Sequence, residues 1–282
     1  MSRIAYIDGV YQPLNQPVIY VDDRGSQFAD GVYEVCAIRD GRLFDEEAHL
    51  DRLERSLAQL NMPPPMSRGA LKAVMRETVR RNLVRTGLVY IQVTRGVAPR
   101  EHSYAEGLKP VLVMTARPMD AGRKASIQTN GIEVISVPDQ RWARCDIKSI
   151  SLLPNVLARQ EARDAAVQEA WQIDSEGFVT EGAATNAWIV DGEGCLRTRP
   201  ADEDILNGIV RQVLLQCAAD AGIEVQERAF TLDEAKAARE AFSTASTMAV
   251  FPVVKIDGQP IGDGQPGALT QKLAAAYETV NQ

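Results

Sequence analysis

Apolar residues recur along the first third of the chain at the spacing of amphipathic helices. In EEAHLDRLERSLAQL, Leu50, Leu53, Leu57 and Leu60 follow one another at steps of three and four residues, so they share one helical face. The segment GALKAVMRETVRRNL shows the same spacing, and a run of prolines between the two segments breaks the chain. The pattern therefore predicts two consecutive helices.

Asp-Gly pairs follow several strand-like segments. Asp8-Gly9 follows RIAYI, Asp40-Gly41 follows VYEVCAIR, and Asp257-Gly258 follows AVFPVVKI. Such pairs favour tight hairpins, because glycine accepts a positive φ at little cost. LVYIQVTRG and PVLVMTA predict further strands from their β-branched content. We therefore predict a small N-terminal α+β domain over residues 1–116.

The polar segment RPMDAGRK, residues 117–124, lacks periodicity and predicts an interdomain linker. Beyond it, the strand-like segments IEVISV, TNAWIV and AVFPVV alternate with helices expected to begin near Asn155, Gly208 and Ala268. This alternation predicts a second domain over residues 125–282, built on a curved sheet or barrel.

Composition narrows the possible partners and location. The chain has 282 residues, enough for two domains with cores of their own, and a net charge of −7 that disfavours nucleic acid as a partner. No stretch approaches the roughly 20 apolar residues of a membrane span, so no membrane partner is expected. Four scattered cysteines without a C-x-x-C pair, and only two histidines, predict a cytoplasmic protein without a metal site.

One lysine stands in an apolar setting. Lys148 is flanked by Ile147, Ile150 and Leu152. A poorly hydrated amine is freed to act as a nucleophile and form an imine. Lysines are more often solvated at a strand end, and the local composition alone favours that alternative.

Lys148 lies in a segment that carries a family resemblance. RCDIKS followed by LLPNVLARQEA resembles the cofactor-lysine region of the class IV aminotransferases. DDRGSQFADGVYEV, HLDRL, VYIQVTRGVAPREH, VTEGAATNAW, ILNGIVR and STAST with FPVVKIDG also occur in the family's order. The resemblance extends from about Ile4 to the end and is strongest to the D-amino acid aminotransferases, best known as D-alanine aminotransferase. It implies a two-domain α+β class IV fold, with a C-terminal pseudo-barrel, pyridoxal 5'-phosphate (PLP) at the domain interface, and a homodimer.

The resemblance also implies roles in cofactor binding. Lys148 would form the Schiff base with PLP and move the substrate proton, and Glu181 in VTEG would contact the pyridine nitrogen. The contacts to the phosphate would come from Arg52, Ser246 and the backbone N–H groups of Ile209 and Val210. Without the resemblance, Glu181 fits an exposed turn equally well, Arg52 a solvated helix face, and Gly208 an ordinary helix start.

Two positions depart from the family pattern. Val210 replaces a threonine that often follows the glycine at this helix start, so one hydroxyl donor to the phosphate is lost. Ala183, Ala184 and Thr185 replace a run of serines after Glu181. We expect these departures to loosen PLP binding without abolishing it.

The segment PREH offers a site for a substrate carboxylate. In an extended segment, Arg100 and His102 point to one side, and arginine presents a planar fork that matches a carboxylate. The pair resembles the carboxylate-binding pair of the D-alanine aminotransferases, which reaches the neighbouring subunit's site. Tyr33 matches a tyrosine near the cofactor, and Tyr90 is a further substrate-pocket candidate. A solvated loop and a core aromatic are the alternatives for Arg100-His102 and Tyr33.

These observations predict an enzyme. The resemblance implies transamination between D-alanine, D-glutamate or D-aspartate and pyruvate or 2-oxoglutarate, in two ping-pong half-reactions. A branched-chain L-amino acid aminotransferase is the second hypothesis, and aminodeoxychorismate lyase the third. A non-enzymatic scaffold would be expected to lack Lys148 or Glu181, and both are present.

Overall fold

The computed structural model describes residues 3–16 and 18–280, which form two compact units. Unit 1 comprises Met1–Asp120 and Ile147–Ser151, and unit 2 comprises Ala121–Asp146 and Leu152–Gln282. The elements of unit 1 are β1 (Ile4–Ile7), β2 (Val10–Pro13), α1 (Arg24–Phe28), β3 (Gly31–Arg39), β4 (Arg42–Leu43), α2 (Glu46–Gln59), α3 (Arg68–Arg81), β5 (Gly87–Thr94) and β6 (Val111–Pro118).

The strands of unit 1 form an antiparallel sheet in the order β2-β1-β6-β5-β3-β4. Its hairpins confirm the Asp-Gly prediction. Ile7 pairs with Val10 across Asp8-Gly9, and Arg39 pairs with Arg42 across Asp40-Gly41. Both residues of each Asp-Gly pair have positive φ, as this tight turn requires.

The two predicted helices of unit 1 are confirmed as α2 and α3. Glu46 and Glu47 lie in the first turn of α2, where their charge complements the helix dipole. Ser67 caps α3 by accepting a hydrogen bond from the Ala70 N–H. Both helices bury their apolar faces in the core of this unit. That core includes Leu50, Leu53, Leu57, Leu71, Met75, Val79, Val89, Ile91, Val93, Leu112 and Met114.

Unit 2 is built on a mixed sheet. Its elements are α4 (Ala121–Asn130), β7 (Ile132–Pro138), α5 (Leu153–Asp164), β8 (Glu169–Ile173), β9 (Val179–Gly182), β10 (Asn186–Val190), β11 (Leu196–Thr198), α6 (Ile209–Asp220), β12 (Val225–Glu227), α7 (Leu232–Lys236), β13 (Glu240–Ala245), β14 (Ala249–Ile256), β15 (Gln259–Pro260) and α8 (Ala268–Val280). The order is β12-β11-β10-β13-β14-β7-β8-β9, and β15 pairs with β14. The edge strand β9 also contacts β10, so the sheet curls into an incomplete barrel.

The segment expected as a linker, residues 117–124, differs in the structure. β6 continues to Pro118 and α4 begins at Ala121, so only two residues connect them. Most described side chains of α4 are exposed, with Ile127 as its buried residue, which is why its sequence lacks an apolar helical period.

Residues 147–151 also depart from the expected division, because they pack with unit 1. The Tyr33 N–H donates to the Lys148 carbonyl at 2.9 Å, and the Ile150 N–H donates to the Gly31 carbonyl at 3.0 Å. These bonds add the segment to the start of β3. The chain therefore returns to its first unit within the segment that carries Lys148.

Within residues 3–16 and 18–280, no helix is long and apolar enough to cross a membrane.

Candidate active site

Lys148 is held by its backbone against the start of β3. Ser149 forms a bridge with Val32 of β3, and the Lys148 N–H donates to the Ser56 Oγ of α2 at 3.4 Å. The side chain is half-buried, and its Nζ lies 4.3 Å from the centre of the Tyr33 ring. A ring face attracts a cation. Tyr33 therefore orients the amine while leaving its lone pair free of a carboxylate partner in that contact.

Tyr33 and Tyr90 lie on the same face of the sheet. Tyr33 pairs with Gln92, and the two tyrosine rings are 5.7 Å apart. The Tyr90 hydroxyl donates to Gln92 Oε1 at 2.8 Å. Burial, and secondarily the neighbouring Tyr33, raise the pKa of Tyr90 to about 12. Tyr90 is therefore a neutral hydrogen-bonding group at physiological pH.

Arg52 lies in α2 and is paired with a buried carboxylate. Its Nε and Nη2 donate to the two oxygens of Glu34 at 2.7 and 3.0 Å. His49 Nδ1 lies 2.7 Å from Glu34 Oε2. Burial opposes the charge of Glu34, but Arg52 and His49 outweigh that effect and hold its pKa well below the usual range. Glu34 therefore fixes the side chain that was predicted to contact a phosphate.

Replacement of Glu34 by glutamine is expected to lower the free energy of unfolding by about 3–5 kcal/mol at pH 7, because it leaves the Arg52 charge buried without its counterion. Urea unfolding measures this loss, with Glu106→Gln on an exposed loop as the control. The folded pKa of Glu34 is depressed, so its contribution is present above about pH 4.3 and is lost as pH falls below that value. The two proteins should therefore converge in stability at acid pH. Equal stability at pH 7 would contradict the proposed role of this ion pair.

Arg100 and His102 lie in the exposed loop between β5 and β6. The segment is not extended as a strand, in contrast to the expectation from the sequence, yet both side chains reach the same ring. The Arg100 guanidinium lies 4.9 Å from the centre of the Phe28 ring, and the His102 ring lies 5.4 Å from it. Phe28 thus brings the predicted pair together in place of the strand geometry.

A buried arginine fixes the backbone of this loop. Arg24 is 3% exposed and donates to the carbonyls of Glu101 at 2.6 Å and His102 at 3.1 Å. Its Nε also donates to Asp30 at 2.8 Å. We infer that Arg24 is a positioning residue for the loop, because it holds the main chain on both sides of the His102 peptide.

Arg95, for which the sequence indicates no functional role, supports the same loop. Its Nε donates to Asp30 at 2.7 Å, and its guanidinium stacks 3.7 Å from the centre of the Tyr104 ring. Asp30 therefore joins two buried arginines. The supporting residues that no sequence motif singles out (Arg24, Glu34, Arg141 and Asn186) are all polar groups buried within or beside apolar strands.

Glu181 lies in β9 of unit 2, and its side chain is 9% exposed. Arg141 Nη1 donates to one oxygen, and Asn186 Nδ2 and the Leu206 N–H donate to the other at 2.9 and 3.2 Å. Burial opposes the charge of Arg141, but Glu181 and Asp139 outweigh it and raise the pKa of Arg141. The carboxylate is therefore buried and ionised, in contrast to an exposed turn.

The start of α6 lies beside this carboxylate. A helix leaves its first N–H groups without partners in the helix, and Gly208 supplies no side chain to cap those of Ile209 and Val210. A Cβ at Gly208 would lie 2.0 Å from Asn186 Oδ1. Glycine therefore allows Asn186 to stand between the helix start and Glu181.

Ser246 lies at the same end of the sheet. It follows β13 in a turn, and Thr244 of β13 pairs with Asn186. The half-buried Ser246 thus stands two residues beyond the strand position that is opposite Asn186. An acid, a helix start with free N–H donors and a hydroxyl within one unit match the ring nitrogen and phosphate of PLP.

Comparison with known proteins agrees with this donor set. The family model described as amino-transferase class IV matches residues 31–256. The chain belongs to the class IV aminotransferases. It is 42% identical over 258 residues to D-alanine aminotransferase of Bacillus licheniformis, covering 92% of this chain and 90% of that relative. A D-alanine aminotransferase of Staphylococcus haemolyticus is 38% identical and covers 98% and 97% of the two chains.

The class IV fold is also shown by solved structures. The branched-chain amino acid aminotransferase of T.th. with pyridoxamine 5'-phosphate superposes with a TM-score of 0.90 at 25% identity, covering all of this chain and 95% of that one. This aminotransferase fold is the architecture that the sequence predicted. The departures at Val210 and at Ala183–Ala184 remain side chains without hydroxyl groups beside the α6 start and Glu181.

Proposed function

We propose that this chain is a PLP-dependent aminotransferase that moves amino groups between D-amino acids and 2-oxo acids. The observation that carries the proposal is the buried Glu181 carboxylate beside the uncapped start of α6. The identity of 42% to a D-alanine aminotransferase supports the D-amino acid class. The pyridoxamine 5'-phosphate in a solved class IV structure supports the cofactor.

Lys148 is proposed as the residue that carries the cofactor. Bound PLP supplies an aldehyde that takes up the amino group and a ring that accepts electrons. Once displaced, the Lys148 amine takes a proton from the substrate Cα and returns it, as general base and acid. Tyr33 holds this amine in place through its ring face, 4.3 Å from Nζ.

Glu181 is proposed to keep the cofactor's ring nitrogen protonated. Its charge is maintained by Arg141, and its orientation is fixed by Asn186. The N–H groups of Ile209 and Val210, with Ser246, are proposed as donors to the phosphate. Arg52, which is oriented by Glu34, would add positive charge to that group.

The D- and L-amino acid hypotheses are separated by a coupled assay. D- and L-alanine, D- and L-glutamate, and L-leucine are each supplied with pyruvate or 2-oxoglutarate as the acceptor, omitting the pairs in which an acceptor returns its own amino acid. Turnover of D-alanine with 2-oxoglutarate supports the proposal. Turnover of L-leucine alone would instead favour a branched-chain aminotransferase, the class to which the T.th. protein belongs.

Arg100 and His102 are proposed to bind the substrate carboxylate. Arg100→Leu is expected to lower kcat/KM for D-alanine by about 100-fold, the scale of losing a charged hydrogen-bonded partner. Activity on an amine that lacks a carboxylate should change little. Arg123→Gln, on an exposed position of α4, serves as the matched charge control. Equal losses on both substrates would show that Arg100 does not bind the carboxylate.

We also propose that the chain acts as a homodimer in which this loop serves the partner's site. Val18, Ile19, Tyr20 and Val21 are consecutive and 43–89% exposed, an apolar surface suited to a second copy. Co-expressed Arg100→Leu and Lys148→Ala chains should regain activity that neither has alone, because one site of the mixed dimer receives both residues. If the mixture stays inactive while sedimentation shows dimers, the loop does not act across the interface.

A cytoplasmic location is proposed from the thiols. All four cysteines are free, and three of them are buried, which is usual in a reducing compartment. Fractionation of cells expressing the full chain tests this, and recovery in an oxidising compartment would contradict it.

A further inference from the structure

Unit 1 contains a cavity that none of the candidate catalytic residues lines. Its volume is about 720 Å³, within the range of small-molecule sites. It lies beside the Asp40-Gly41 hairpin, at the end of β3 opposite Tyr33. Tyr33 and Arg39 are six residues apart on that strand, a separation of about 20 Å.

Positive charge dominates the lining of this cavity. Four arginines line it with one glutamate, Glu46, although the whole chain has a net charge of −7. Those arginines are Arg42, Arg76, Arg80 and Arg85. The cavity is therefore a local site of attraction for an anion on an acidic protein.

Two of the guanidinium groups are available to a ligand. Arg76 donates to Glu46 at 2.9 Å, and Arg80 binds Glu77 through two hydrogen bonds. The Arg42 side chain has no ion pair or hydrogen bond with any residue in the described part of the chain.

Arg85 has only a weak partner. It lies 3.8 Å from Asp40, and both side chains are more than 80% exposed, so water screens the pair. The Gly41 N–H donates to the Arg85 carbonyl at 2.8 Å, which holds the segments bearing Arg42 and Arg85 side by side. Two adjacent forks suit a carboxylate or phosphate.

The remaining wall is apolar. Leu43, Val79, Leu83 and Val84 line it, and Leu83 is 72% exposed. Leu83 is also the residue after the α3 cap, with a φ of 53°. Its N–H donates to Arg80 and that of Val84 donates to Val79, a helix ending in which glycine is usual at this position. An exposed leucine held in a left-handed conformation has a cost in folding that a contact with a ligand would offset.

We propose that this cavity binds a small organic anion whose charged group pairs with Arg42 and Arg85 and whose apolar body packs on Leu83 and Val84. The charge and the apolar wall are both required. Inorganic phosphate supplies only the first, and a neutral amide supplies only the second.

The test is a methyl NMR titration of the full-length, PLP-saturated protein labelled at leucine and valine. Hexanoate is the probe, with hexanamide as its neutral isostere and phosphate as an anion without an apolar body. Signals of Leu43, Val79, Leu83 and Val84 report this cavity separately from the catalytic residues. Hexanoate should shift these signals saturably, with an affinity at least about tenfold above that for either comparison probe.

Variants separate the two parts of the site. Arg42→Gln with Arg85→Gln should weaken hexanoate binding at least about tenfold, and Arg123→Gln should leave it unchanged. Leu83→Gly should weaken binding while the thermal midpoint stays equal or rises, because glycine accepts this backbone conformation. Absence of saturation by about 20 mM hexanoate, equal binding of hexanamide or phosphate, or unchanged affinity in the double variant would each overturn the proposal.

Discussion

Lys148→Ala should lower the rate of D-alanine transamination by at least about four orders of magnitude, the scale of removing a catalytic nucleophile. The variant should still fold, because the segment is held by backbone bonds of Tyr33 and Ile150 that alanine leaves in place. Turnover and the thermal midpoint are measured together. The reason is chemical, since no other amine is placed on the Tyr33 ring face in the described residues.

Two controls make this result specific. Lys272→Ala changes an exposed lysine of α8 and should leave turnover unchanged. Borohydride reduction of the wild-type protein with PLP should add the cofactor's mass to the peptide that contains Lys148. Near-normal turnover in Lys148→Ala, or labelling of a different lysine, would refute the assignment.

Glu181→Gln should lower turnover by about 100- to 1000-fold, the scale of losing one preorganised electrostatic contact at a reacting group. The donors from Arg141, Asn186 and Leu206 all point at the carboxylate. An amide would turn an N–H₂ group toward one of these donors and would leave the Arg141 charge without compensation. The glutamine would also be too weak an acceptor to keep a ring nitrogen protonated.

The comparison with Glu176→Gln, in an exposed turn, controls for the loss of one negative charge. The absorption spectrum of bound PLP gives a second readout, because a ring that loses its proton changes colour while a protein that merely loosens does not. Unchanged turnover and an unchanged spectrum in Glu181→Gln would remove Glu181 from the proposed mechanism.

Much of the backbone could be predicted because its signals are local. The Asp-Gly hairpins and the α2 and α3 helices depend on turn chemistry and on periodic leucines, and they form as predicted. The α4 helix has too few buried residues to show a period, so its sequence predicts a linker instead. The return of residues 147–151 to unit 1 depends on pairing with β3, over a hundred positions away, which no local pattern records.

The candidate site divides in the same way. Motifs in sequence order indicate Lys148 and Glu181, whereas no motif indicates their supports. Glu34 and Arg141 act through buried ion pairs between residues 18 and 40 positions apart, and a charged residue in an apolar strand does not name its partner. Arg24 likewise reaches a loop 77 positions away.

The clamp formed by Arg24 leaves room for substrate preference to change. Its contacts in the loop are to the carbonyls of Glu101, His102 and Ser103, so it reads the path of the peptide chain and not the identity of the side chains. Amino acid replacements at 101 and 103 can therefore accumulate without the loop losing its shape. A laboratory library built at those two positions would sample new amino donors on an unchanged frame, which makes this loop a suitable place to begin directed evolution.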